Sequence, residues 1–131
     1  MIRYIKTVAI YVQEQEKAVL FYTEQLGFEV RRREQMGLNA EWVELAPRGG
    51  QSCLVLYPRS MMQGWETRRA SIVFHCADAE QTYEELQARG VEFVEPPKRM
   101  PWGVFAQFHD PDGNEFLITS PAKNPSASQS R

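Results

Sequence analysis

The sequence predicts an α+β fold built from two tandem βαβββ modules, and three observations carry that expectation. Short runs rich in β-branched and aromatic residues recur along the chain with a period of two, as half-buried strands require. The order strand, helix, glycine, strand then occurs twice. Thr7-Val-Ala-Ile-Tyr-Val12 parallels Ser71-Ile-Val-Phe-His-Cys76, Glu14 and Glu16 parallel Asp78 and Glu80, and after a one-residue gap Gly27-Phe-Glu-Val30 parallels Gly90-Val-Glu-Phe93. Finally, Phe105 to Ser120 reads as a hairpin around Asp110-Pro-Asp-Gly-Asn114, where Pro presets φ, Gly accepts φ > 0 and Asp or Asn can bond its own backbone.

In chain order, Tyr4 to Val12 is a strand with Val8, Ile10 and Val12 on one face and Thr7, Ala9 and Tyr11 on the other. An amphipathic helix follows from Glu16, its stripe made by Ala18, Tyr22 and Leu26 and widened by Val19 and Phe21. Gly27 ends it as a left-handed cap. Phe28 to Glu34, interrupted by Arg31, Arg32 and Arg33, reads as an exposed or edge strand. Asn39 to Ala46 and Ser52 to Tyr57 complete the first module. After a loop carrying Met61, Met62 and Trp65, the pattern restarts with a strand at Ser71 to Ala77. A helix at Glu80 to Arg89 is capped by Gly90, and Val91 to Val94 is a short strand. Pro96-Pro97 and Pro101-Trp102-Gly103 lead into the final hairpin.

Length and composition set further bounds. A chain of 131 residues has room for one domain of ordinary size. That domain is expected over residues 1–120, with modules at about 4–57 and 70–120. Residues 121–131 are too polar to pack and read as a disordered tail. A net charge of -2, from 15 Lys and Arg against 17 Asp and Glu, gives no footprint for nucleic acid or an anionic membrane. Small-molecule or protein partners are the expectation. Cys53 and Cys76 lie in apolar runs that favour buried free thiols over a disulfide, hence a reducing compartment. With neither a signal-peptide pattern nor a membrane-spanning run, the chain reads as cytoplasmic.

Phe21-Tyr-Thr-Glu-Gln-Leu-Gly-Phe28 after the first strand, with Phe108-His-Asp-Pro-Asp-Gly-Asn114 near the end, resembles the vicinal oxygen chelate superfamily. Glyoxalase I, extradiol dioxygenases, fosfomycin-resistance enzymes and bleomycin-resistance proteins belong to it. The resemblance implies that the paired modules curl into a cup-like mixed sheet with helices on the outer face, often as a homodimer. Catalytic members bind one divalent metal through His, Glu or Gln, with open positions for adjacent substrate oxygens. In this sequence those ligand positions fall on Thr7, Val55, Ser71 and Leu117, none of which is a competent ligand. No cofactor is therefore expected, and a divalent metal only at a noncanonical site such as Cys53 with His75 and Glu115.

By strand parity the cup lining takes Thr7, Ala9 and Tyr11 from the first strand and Cys53, Val55 and Tyr57 from the fourth. Ser71, Val73 and His75 add to it from the second module, with Gln107, Glu115, Leu117 and Thr119 from the hairpin. Trp102 is placed at its rim, and Trp42 in packing. His75 admits two readings: a hydrogen-bonded structural histidine, or a general acid or base with Tyr11 at the equivalent place. The functional expectation is binding of a small organic molecule without the usual metal. The alternative is a lyase, isomerase or dioxygenase-type enzyme, using a noncanonical metal or metal-free chemistry on His75 and Tyr11.

Overall fold

The structure, a computed structural model, describes residues 1–122. Of the expected tail, all but Pro121 and Ala122 lie outside the described residues. The chain divides into two compact units, Met1–Ala70 and Ser71–Arg131. Each has the predicted βαβββ order.

In the first unit, β1 (Thr7–Val12) is followed by α1 (Gln15–Leu20), which continues into a π-helical turn over Phe21–Gln25. Strands β2 (Glu29–Gly37), β3 (Ala40–Ala46) and β4 (Cys53–Pro58) complete a sheet of order β1-β4-β3-β2. β1 runs parallel to β4, and the other pairs are antiparallel. The helix buries Ala18, Val19, Phe21 and Tyr22. It covers the sheet face that carries Val43 and Leu45, because Arg33, paired with Val43 in the ladder, reaches up to Glu16 of α1. The expected stripe fails at its end, where Leu26 is only half-buried. The amide of Leu26 donates to Phe21 O across the widened turn, which shifts the helical phase and lets the adjacent Phe21 and Tyr22 rings both turn inward. Gly27, at φ 78°, ends the helix in the left-handed conformation expected of it.

The second unit repeats the plan with β5 (Ile72–His75), α2 (Ala79–Ala88), β6 (Phe93–Met100), β7 (Gly103–His109) and β8 (Glu115–Ser120). Its sheet order is β5-β8-β7-β6, with β5 parallel to β8. Asp78 caps α2 by accepting from the amides of Glu80 and Gln81, and Ser120 Oγ accepts from the Ala79 amide. Beneath the helix, the rings of Phe74, Phe108 and Phe116 stack at 5.3 to 6.4 Å, and Phe93 packs on Phe108. Asp110 is 1% exposed at the hairpin turn. Its carboxylate accepts from the amides of Asp112 and Asn114 and from Asn114 Nδ2, so the motif that identified the turn also holds it closed.

Two strand expectations need correction. β6 does not stop at Val94 but runs through Pro96 and Pro97 to Met100. It lies at the edge of its sheet, and the pairing skips between Glu95 and Lys98, so the missing N–H groups cost no ladder bond. β2 is the edge strand predicted, yet its three arginines are not simply solvated. Arg31 donates to Gly50 O and Pro47 O, Arg32 pairs with Glu34, and Arg33 joins Glu16 to Glu41.

That last bridge has a pH signature. The hydrogen bond from Arg33 holds the Glu41 carboxyl below its ordinary value, and Arg32 does the same to Glu34. A carboxyl lowered in the folded state stabilises above its unfolded value, here 4.5, and that contribution is lost as pH falls through the folded value. Melting temperature is therefore expected to fall more steeply below pH 4.5 in the parent chain than in an Arg33→Gln variant. Superimposable acid limbs in a thermal-melt series would contradict the assignment.

Candidate functional site

Each unit has one sheet face under its helix and one turned away, and those expected site residues that lie on strands sort onto the second. In the first unit, ladder pairing places Thr7 beside Cys53, Ala9 beside Val55 and Tyr11 beside Tyr57, with Glu44 opposite Val55. Trp42, two residues before Glu44, shares this face. The Tyr11 and Tyr57 rings meet edge to face at 6.0 Å, and Trp42 meets Tyr57 the same way at 6.3 Å. Three connected rings thus line the face, with Cys53 and Val55 buried between the polar and aromatic groups. Glu44 is the one acidic side chain buried there, at 7% exposure. Trp42 Nε1 donates to its Oε2 at 2.6 Å, while the Arg32 guanidinium lies 3.7 Å from the same oxygen. Arg32 makes its closer contact, 2.6 Å, with Glu34.

In the second unit, the ladder pairs Val73 with Leu117, His75 with Thr119 and Gln107 with Leu117. Gln107, Leu117 and Thr119 are half-buried, and Val73, His75 and Glu115 are exposed. Gln107 Nε2 donates to Glu115 Oε2 at 3.0 Å. Ser71 is exposed just before β5, and Trp102, 70% exposed, sits in the β6–β7 turn rather than on a strand. The two modules correspond position by position: Glu44 opposite Val55 matches Gln107 opposite Leu117. Tyr11 and His75 are equivalent in the same sense.

The residues at the family's metal positions do not fit a metal. Thr7 and Ser71 offer neutral hydroxyls, and Val55 and Leu117 offer no donor atom. Among the described residues, no three His, Cys, Asp or Glu side chains gather so as to hold a metal ion. The noncanonical set is also pulled apart within the second unit. His75 pairs with Thr119, and Glu115 lies four residues earlier on β8, about 13 Å along the strand. Cys53 and Cys76 are free thiols, the first buried and the second half-buried. No helix among the described residues is long and apolar enough to cross a membrane.

Sequence reasoning passed over Glu44, read Arg32 as part of a solvated edge whose alternate arginines could steer an anionic substrate, and gave Trp42 only a packing role. The available signal was the alternation Trp42-Val43-Glu44, which puts a donor ring and a carboxylate on the same strand face two residues apart. Arg32 carried no such signal, since its partner is fixed by the β2–β3 register.

Comparison with known proteins agrees with this architecture. The sequence pattern of the Glyoxalase/Bleomycin resistance protein/Dioxygenase superfamily matches residues 4–118. An uncharacterized protein, YetH, of Bacillus subtilis (strain 168) is 50% identical over 118 residues, covering 90% of this chain and 98% of that protein. A crystal structure of a superfamily member from Sphaerobacter thermophilus DSM 20745 is similar with a TM-score of 0.82 and 34% identity, over 91% of this chain and 98% of that one. TnmS3, described as an antibiotic binding protein from Streptomyces sp. CB03234, is similar with a TM-score of 0.77 and 33% identity, over 92% and 98% of the two chains. With its repeated modules, its closing turn and these matches, the chain belongs to the Glyoxalase/Bleomycin resistance protein/Dioxygenase superfamily.

Proposed function

We propose that this protein binds a small, flat organic molecule against the helix-free sheet face of its first unit, without the metal that catalytic relatives use. The observation that carries this reading is the wall of Tyr11, Tyr57 and Trp42 on a face whose metal positions, Thr7 and Val55, offer no donor beyond one hydroxyl. Aromatic rings give a flat ligand large contact area at little conformational cost, while a few polar groups fix its orientation. The likeness to TnmS3 supports binding as the activity. The protein acts in this reading as a cytoplasmic homodimer, the dimer in keeping with the family habit and the reducing compartment with the free thiols of Cys53 and Cys76.

The test combines metal analysis with ligand binding. Purified without an affinity tag and then loaded with zinc, nickel, manganese or iron(II), the chain is expected to retain no stoichiometric metal. Planar aromatic probes such as anthraquinone-2-sulfonate and acridine orange are expected to raise the unfolding temperature, since a ligand at a hundred times its Kd adds about 2.7 kcal/mol to stability. A Tyr57→Ala change should weaken them about 10-fold by removing the central ring. Stoichiometric metal lost on His75→Ala would overturn the metal-free reading, and failure of every planar probe would overturn the binding reading.

A further inference from the structure

Glu44 is unlike its surroundings. A carboxylate placed on an aromatic sheet face gives up water, and each oxygen lone pair left without a donor carries a desolvation cost. Here one oxygen, Oε2, takes both contacts, from Trp42 Nε1 at 2.6 Å and from Arg32 at 3.7 Å. The other oxygen, Oε1, accepts no hydrogen bond among the described residues. It is not wholly sealed from solvent, and so stands as an acceptor without a protein donor on the face that holds the three rings.

The cation beside that carboxylate is shared. Arg32 is shared between two carboxylates and sits 1.1 Å closer to Glu34 (2.6 against 3.7 Å), so one guanidinium faces two negative groups. The position is also built into the repeat. The second module has Gln107 at the corresponding place, a side chain with both donor and acceptor, where the first has an acceptor alone.

We infer that Glu44 is a specificity-determining residue, selecting flat aromatic ligands that present an N–H donor, the class of aromatic amines and amidines. The inference rests on the ligand-binding reading above and adds the chemistry of the ligand. Trp42 has a positioning role in it: by holding Oε2, it fixes the carboxylate so that Oε1 stays available. An aromatic ligand seated on Tyr11, Tyr57 and Trp42 then gains a charge-assisted hydrogen bond only if it carries the donor. An analogue of the same shape without the donor leaves the acceptor unmet, which is how a polar site rejects it.

A matched pair of probes tests this. Proflavine and acridine orange share a ring system, a positive charge and the ring N–H that carries it, but methylation removes the exocyclic N–H donors of the second, so the pair isolates the amine donors. The parent protein is expected to bind proflavine about 10-fold more tightly by fluorescence titration. In Glu44→Gln the amide oxygen can still accept from Trp42 Nε1, while the amide NH2 replaces the open acceptor with a donor. That variant should keep its melting temperature and lose the preference. A preference that persists in Glu44→Gln would assign it to methyl bulk and overturn the inference. Equal weakening of both dyes would assign Glu44 a purely coulombic role and overturn it as well. If acridine orange and anthraquinone-2-sulfonate also fail to bind the parent chain, the ligand-binding reading itself falls and takes this one with it.

Discussion

Replacing Asp110 by Ala is expected to cost about 3 kcal/mol of folding stability, a large loss for a single substitution in a turn. The magnitude follows from the geometry. The carboxylate is almost fully buried and accepts three hydrogen bonds of 2.8 to 2.9 Å from Asp112 and Asn114. Deleting it leaves two backbone amides without their acceptor in a turn whose Gly113, at φ 83°, is already committed to the left-handed region. Asp110→Asn keeps one oxygen for both amides and should cost about 1 kcal/mol. Urea unfolding of the two variants measures the difference. Equal losses would show that charge, not acceptor placement, holds the turn.

Phe108→Ala is expected to cost more still, about 4 kcal/mol. The ring is buried, stacks with Phe74 at 6.4 Å and Phe116 at 5.4 Å, and meets Phe93 at 5.5 Å. Four rings from β5, β6, β7 and β8 meet at this one side chain, so the cavity left by Ala would border every strand of the sheet. Phe108→Leu, which fills much of that volume, should lose less than half as much. A loss below about 1 kcal/mol for Phe108→Ala would mean that the neighbouring rings collapse into the gap.

The parts of this fold that a sequence displays are the local ones. Strand parity needs only a period of two, and it correctly put Tyr11, Val55, Tyr57, His75, Gln107 and Leu117 on the faces turned from the helices. Gly27 and Gly90 were readable as caps because a left-handed residue is a single-position requirement. What escaped were features fixed by partners distant in sequence. Pro96 and Pro97 read as a loop because nothing near them says that β6 lies at a sheet edge. Arg31, Arg32 and Arg33 looked like one solvated run, yet a register shift after Val30 helps send them to three destinations. Glu44 showed only half of its setting: the alternation puts it beside Trp42, but its pairing with Val55 and Arg32 exists only once β2, β3 and β4 are aligned.

The prolines of β6 and the charges of β2 share a consequence for the life of the molecule in a crowded solution. Each strand is the outer boundary of its sheet on the side away from the parallel pair. An outer strand with free backbone groups is a template on which another chain can zip, the first step toward aggregates. Pro96 and Pro97 cannot donate, and Arg31 to Glu34 would have to be stripped of water and ion partners before a foreign strand could approach. Both outer boundaries are thus guarded, by different means, against unwanted growth.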